Sequence, residues 1–361
     1  MIPEQFVSVP LNHIAEVTLL GAGAYGESLI CHTGNQEWII IDSCVNPNEN
    51  NRPLPLEYLR SIGVPFANIK LVVCTHWHDD HIKGLSRILE EAPNAEFCIS
   101  RAHDKDKFLA FVGMDSGKAI NYSTREFTNC LKILMKRKAI FTDALENLSI
   151  LRNAFSTIIC LSPSNYTTQR HDKIIASMLP YLAVNKRVPY FTPNATSIVI
   201  YAKFGYHRAI LGGDLELSKN PEEGWLKVIS NTISIDEKAN LIKISHHGSE
   251  NGYCEDIWKY LLTHEPVAKL TPWSLGGNSL PVTLMIEKYL SHTNELYITN
   301  HIVSAKQKSR DAKLEKLIKE LKPGLKEEKY KLGIIRSRIN MEDKLGKWEV
   351  ENILSAKKLN S

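Results

Sequence analysis

The sequence predicts an α/β fold, and three observations carry that prediction. Short apolar runs rich in β-branched residues recur, as in Trp38-Ile39-Ile40-Ile41, Leu71-Val72-Val73-Cys74, Ser197-Ile198-Val199-Ile200-Tyr201 and Ala209-Ile210-Leu211. Runs of this length and composition form buried strands. Between them lie segments of helical period, such as Ile82, Leu85, Ile88 and Leu89 ahead of Pro93. A chain of 361 residues with 43% hydrophobic content buries one large core or two smaller ones.

Taken in order, residues 17–20, 28–30 and 38–41 read as strands, the last entered through a Gly34-Asn35 turn. Gly21 to Gly26 matches the letters GxGxxG but leads into a strand, not a helix, so it reads as a glycine loop beside a cleft. An Asn/Pro-rich loop at 46–56 precedes a short helix at 56–62. Residues 101–190 read as a largely helical insertion, with a helix at 125–138, a strand at 156–161 and a polar loop at 163–172. Helices follow at 256–262 and 281–290, around a loop at 276–279. Leu314, Leu317, Ile318 and Leu321 mark an amphipathic helix, and 332–339 with 347–351 alternate like a hairpin. No repeat of 20–50 residues is visible.

Charge is unevenly distributed. Residues 301–361 hold 16 Lys/Arg and 9 Asp/Glu, a net of +7, leaving 28 basic and 31 acidic residues before them, a net of −3. That basic tail is a candidate surface for a phosphate backbone, or an ordinary exposed helix. The seven cysteines (31, 44, 74, 98, 130, 160 and 254) are scattered without a CxxC pair, which fits reduced core thiols and a cytoplasmic location. No apolar run reaches 18 residues and the N-terminus lacks a secretory pattern, so neither a membrane span nor export is expected.

The densest chemistry is Thr75-His76-Trp77-His78-Asp79-Asp80-His81. Three imidazoles and two carboxylates in seven positions are costly to place except around a cation. His76, His78 and Asp80 alternate, as an extended loop would use them, and His81 brings a further imidazole beside Asp80. The cluster sits between the end of a strand and the start of a helix, where α/β proteins place ligands, and reads as a two-metal site. The isolated His13, His32, His207, His264, His292 and His301 read as surface residues.

HxHxDH after an apolar strand, a strand ending in Asp42, the run Gly212-Gly213-Asp214-Leu215-Glu216, and Ser245-His246-His247-Gly248-Ser249 occur in that order. Together they resemble the metallo-β-lactamase superfamily, and within it the ComEC-like (competence DNA-uptake) hydrolase domain and its stand-alone relatives. The resemblance spans 15–100 and 190–300. It implies a four-layer αββα sandwich over 1–300, with the helical insertion at 101–190, and residues 301–361 packed on or extending that domain. It also implies two divalent ions, zinc or manganese. His76 and His78 would hold one, Asp80, His81 and His247 the other, and Asp214 would bridge them. Asp80 and Asp214 would also act on the attacking water as catalytic groups. Asp42 is expected to orient a ligating imidazole, with His246 the alternative to His247. Asn194 stands where many relatives have a further histidine, which His103 or His171 would have to supply. A carbonyl there makes that half of the site looser and more tolerant of manganese. Lys83, Lys243 and Ser249 are expected contacts to a substrate anion.

The implied activity is hydrolysis by a metal-activated hydroxide, with a phosphodiester, nucleic acid foremost, as the leading substrate. Two alternatives stand beside it. One is a carboxylic ester, lactone or thioester hydrolase. The other is an effector subunit of a bacterial defence or toxin system, gated by a partner protein.

Overall fold

The structure is a computed structural model that describes residues 2–22, 26–46, 49–103, 122–139, 141–183, 193–231, 233–275, 278–301 and 331–360. Two eight-stranded sheets dominate these residues. The first runs in the order Glu349–Leu354, Leu332–Asn340, Ile14–Ala22, Glu27–His32, Trp38–Ile41, Ile69–Cys74, Glu96–Ser100 and Phe141–Ala144. The second runs Lys357–Leu359, Leu296–Ile298, Leu262–Leu270, Ala239–Lys243, His207–Leu211, Ile200–Phe204, Ser156–Cys160 and Ser149–Arg152.

The period-two alternation of the strands builds the layers. Ile39, Ile41, Leu71 and Val73 point to one face of the first sheet and meet Ile200, Ala209, Leu211 and Leu241 of the second. Their neighbours Trp38, Ile40 and Val72 point outward, onto helices carrying Leu59, Ile88, Phe127 and Ile175. On the far side Tyr201, Ile210 and Ile242 meet Trp225, Val228 and Tyr289. The result is the four-layer αββα sandwich.

Each sheet repeats one plan. Ile14–Ala22, Glu27–His32 and Trp38–Ile41 pair antiparallel, and Ile69–Cys74, Glu96–Ser100 and Phe141–Ala144 then add in parallel. Ser156–Cys160, Ile200–Phe204 and His207–Leu211 likewise pair antiparallel before Ala239–Lys243, Leu262–Leu270 and Leu296–Ile298 add in parallel. The loops leaving corresponding strand ends carry Asp42 and His76 to His81 from one sheet, Asp214 and His246–Gly248 from the other.

The stretch 101–190 departs from expectation. It contains the helices Tyr122–Arg137 and Asn165–Ala183 and the expected strand Ser156–Cys160, but also the strands Phe141–Ala144 and Ser149–Arg152, which edge the two sheets. Most of the expected polar loop at 163–172 is helical. Its buried side is made by Thr167, Thr168 and His171 before Ile175 and Met178, so polar residues hide the helical period. The helix foreseen from Ile82 breaks at Lys83-Gly84 into Asp79–Ile82 and Leu85–Glu91, with Gly84 at φ 86°. His32 and His207 are not surface residues. Both are buried, with His32 Nδ1 2.7 Å from the Ile14 carbonyl and His207 Nε2 2.9 Å from that of Asp343.

The last strands tie the chain together. Leu332–Asn340 pairs along the whole of Ile14–Ala22, and Lys357–Leu359 pairs with Leu296–Ile298 in the other sheet. The amphipathic helix expected at 314–321 lies outside the described residues, as do residues 23–25 of the glycine loop and 276–277. All seven cysteines are buried free thiols. Among the described residues no helix is long and apolar enough to cross a membrane.

Candidate metal centre

Asp42 follows its strand directly, in the left-handed region at φ 59°. There its carboxylate accepts the Thr75 N–H (2.7 Å), the Thr75 hydroxyl (2.6 Å) and the His81 Nδ1–H (2.8 Å). These bonds close the 75–81 loop onto the neighbouring strand end. They also fix the His81 tautomer, so its Nε2 faces the cleft. His76 is turned the same way, its Nδ1 lying 3.0 Å from the Thr75 hydroxyl oxygen. Residues 79–82 form one helical turn, so Asp80 and His81 are presented by a helix start, not by a fully extended loop.

The second sheet approaches from the other side. Gly213 sits at φ 50°, and a Cβ there would lie 2.6 Å from Ser197 Oγ, so only glycine lets the chain pass. The next residue, Asp214, donates its backbone N–H to that same hydroxyl at 2.9 Å. His246 and His247 both adopt positive φ, 47° and 53°. His247 Nδ1 lies 3.2 Å from Thr271 Oγ1 and 3.3 Å from the Thr271 carbonyl, which turns Nε2 inward.

Six donor atoms thereby converge. Asp214 Oδ2 lies 3.3 Å from His81 Nε2, 3.7 Å from His247 Nε2 and 3.9 Å from His76 Nε2. His247 Nε2 is 3.3 Å from Asp80 Oδ2, and His76 Nε2 is 3.2 Å from His78 Nδ1. Ligands about 2.0–2.2 Å from a tetrahedral cation stand about 3.3–3.6 Å apart, so this spacing suits ligands that share an ion. His81 Nε2 in this group and the other carboxylate oxygen of Asp214, Oδ1, are buried and make no hydrogen bond despite their close neighbours. The His/Asp donor set fits a divalent cation.

The electrostatics agree. Glu27, Asp42, Asp80 and Asp214 are all buried here, with Lys243 the ammonium among them. Burial disfavours a charged His81, but Asp214, Asp80 and Asp42 overcome it and hold the imidazole well above its ordinary pKa. Burial likewise opposes His247, which Asp214, Glu27 and Asp80 push upward. Asp80 resists its own burial through His81 and His247 and falls to about 2. Asp214 is driven well below the carboxylate range by the same imidazoles and Lys243, against its burial. His76 and His78, by contrast, are lowered, mainly by burial. A site that draws protons onto two buried imidazoles is a site that draws positive charge.

The other expected residues are placed as follows. Asn194 is buried beside the cleft and donates to Glu216 Oε1 at 2.7 Å, with His246 Nε2 3.3 Å from its amide nitrogen. His246 Nδ1 is 3.2 Å from Glu216 Oε1 and does not join the converging donors. His103 and His171 pack on each other at 5.6 Å, with His103 Nε2 3.1 Å from Thr196 Oγ1. The Lys83 ammonium lies 5.8 Å from the centre of the Tyr122 ring.

Two expectations need correction. Lys243 is not exposed to the solvent from which a substrate anion would come. Its side chain is buried between the sheets, bonded to Glu27 and to the Gly213 carbonyl (2.8 Å), 3.6 Å from Asp214 Oδ1. Ser249 is likewise consumed, donating to Asn251 Oδ1 at 2.6 Å and accepting the Gly252 N–H at 3.1 Å. Glu27 and Thr271, which pack behind these donors, have no place in the sequence reading of the centre, and Glu216 enters it only as the end of the Gly212–Glu216 run. Glu27 reads only as a strand residue, yet it bonds Lys243 and the Thr271 hydroxyl.

Residues 28–112 match the sequence model of the metallo-beta-lactamase superfamily. That segment carries the match to a metallo-β-lactamase superfamily domain. The matched segment includes Asp42 and the whole His76 to His81 loop, and the two sheets supply the superfamily's αββα layering. No curated protein matches in sequence. Similar solved structures include a metallo-beta-lactamase mutant from Cronobacter sakazakii, at 15% identity over 63% of this chain and 75% of that one, TM-score 0.35. Others are MEM-A1, a subclass B3 metallo-beta-lactamase from a soil metagenome library (12%, 64% and 76%, 0.34), and the hydrolase AbOPH in the beta lactamase superfamily (12%, 57% and 72%, 0.37). TM-scores this low add nothing to the architecture read from the sheets themselves.

Proposed function

We propose that this metallo-β-lactamase-fold chain is a two-metal hydrolase of phosphodiesters, with nucleic acid foremost among its substrates. The observation that carries the reading is the approach of His76, His81 and His247 to Asp214 Oδ2, with His78 beside His76 and Asp80 beside His247. In this reading His81, His247 and Asp80 would hold one divalent ion and His76 and His78 the other, with Asp214 available to both. Such ions, zinc or manganese, supply Lewis acidity toward the scissile group and acidify water toward neutral pH.

The chain's own residues do the remaining work. Asp42 and Thr75 hold His81 and His76 in the tautomers that aim Nε2 at the cleft. Asp80 stays ionised across the neutral range, so it can accept a hydrogen bond from the attacking water and orient it. Fold alone does not choose a substrate. Phosphodiester chemistry is favoured by the ComEC-like form of Gly213–Glu216 and Ser245–Ser249, and by the basic tail.

The test is hydrolysis of bis(p-nitrophenyl) phosphate and p-nitrophenyl acetate by manganese- or zinc-loaded protein, beside Asp80→Ala. The expected result is diester cleavage that falls roughly a thousandfold in the variant, matching the several kcal/mol a catalytic ion supplies. Cleavage of the acetate alone would replace this reading with an ester hydrolase. Silence on both substrates with metal bound would replace it with a partner-gated effector.

A further inference from the structure

We infer that Glu27 and Lys243 form a buried charge pair that positions Asp214 and His247 for cation binding, an assignment that rests on the two-metal reading. Glu27 belongs to the first sheet and shares the inner face of its strand with Leu29 and Cys31. A lone carboxylate between two sheets is strongly unfavourable unless its oxygens are engaged. Both are. Oε1 pairs with the Lys243 ammonium, and Oε2 accepts the Thr271 hydroxyl proton. Lys243 and Thr271 come from the second sheet, Lys243 ending one strand and Thr271 following the next.

From Glu27 the contacts lead to two of the proposed ligands. Because the Thr271 hydroxyl donates to Glu27, its oxygen is left to accept from His247 Nδ1, 3.2 Å away. Together with the Thr271 carbonyl, 3.3 Å from the same nitrogen, that contact fixes the tautomer in which His247 Nε2 faces Asp80 and Asp214. Lys243 donates to the Gly213 carbonyl at 2.8 Å, holding the peptide that leads into Asp214, and stands 3.6 Å from Asp214 Oδ1. Glu27, Lys243 and Thr271 are each at most 3% exposed. They act from behind the ligands and are positioning residues. Glu27 Oε1 also comes within 3.9 Å of His81 Nδ1, but Asp42 holds that nitrogen at 2.8 Å.

The test is cobalt(II) titration followed by visible absorption, on wild type, Glu27→Gln, Thr271→Val, Thr271→Ser and Asp80→Ala, with circular dichroism of each metal-free protein. Expected are two cobalt equivalents in wild type, binding roughly 10–100-fold weaker with shifted bands in Glu27→Gln and Thr271→Val, and recovery in Thr271→Ser. Should Glu27→Gln fail to fold, Thr271→Val decides, since it removes only the hydroxyl link. Wild-type affinity and spectrum in Thr271→Val would overturn the assignment. So would loss of one whole equivalent in Glu27→Gln with the other unchanged, which would make Glu27 a ligand. A wild type that takes up no cobalt would overturn the two-metal reading and this assignment with it. Weakened binding in Asp80→Ala alone, with the Glu27 and Thr271 variants normal, would keep the first and sink the second.

Discussion

Asp42 and Asp214 leave corresponding strands of the two sheets, yet the fold treats them oppositely. Asp42 donates its N–H to the Val73 carbonyl across to the parallel neighbour, as Gly212 does to Lys243 in the other half. Asp42 is then saturated by Thr75 and His81. Asp214, two residues further along its own loop, keeps Oδ1 without a hydrogen bond and has three imidazole nitrogens around Oδ2. Equivalent topology thus yields one carboxylate that organises the protein and one that, in the two-metal reading, would be left for a cation. What separates them is the supply of N–H and O–H donors, not the depth of burial.

The largest effect that comparison predicts is at Asp214. Asp214→Asn should abolish metal retention and lower diester hydrolysis roughly a thousandfold, with an unchanged far-ultraviolet circular dichroism spectrum. Metal content after dialysis, measured beside the rate, checks it. A variant that keeps both metal and activity would erase the distinction between the two aspartates.

Asp42→Asn should behave differently. Metal affinity should fall roughly 10–100-fold because His81 loses its orienting carboxylate. The metal-free protein should also lose about 1–3 kcal/mol in urea denaturation, since the Thr75 and His81 donors lose a charged acceptor. Equal affinity losses in the two variants, with no stability cost at Asp42, would break the comparison.

How much of this could be read from sequence depended on how local the partners are. His76 to His81 was legible because the ligand types are contiguous. Glu27 was not, since Lys243 and Thr271 lie far along the chain and nothing beside Glu27 in sequence announces them. Lys243 carried a usable signal. Ile242 and Ile244 face the outer helices, which turns Lys243 to the inner face, and an inward lysine in a buried strand demands a carboxylate. The two sheets' common plan was invisible because the halves share connectivity without shared residues. The helix Asn165–Ala183 was missed in part because threonine and histidine line its buried side.

A smaller prediction separates the centre's histidines from the structural pair nearby. Burial lowers His171 to about 4, below its unfolded value near 6.5, so the unfolded chain binds the extra proton between those values. Neutral His171 therefore contributes stability that is present above about pH 6.5 and lost as pH falls toward 4. The stability advantage of wild type over His171→Gln in metal-free protein should shrink by roughly 2 kcal/mol from pH 7 to pH 5. Urea denaturation at the two pH values checks this, and an advantage that grows on acidification would contradict it.

The most direct measurement is anomalous diffraction from crystals grown with manganese or zinc. The account predicts two peaks about 3.5–4 Å apart. One should lie among Asp80, His81 and His247, the other against His76 and His78, with Asp214 touching both. Peaks elsewhere, or none beside Asp214 under saturating metal, would contradict it.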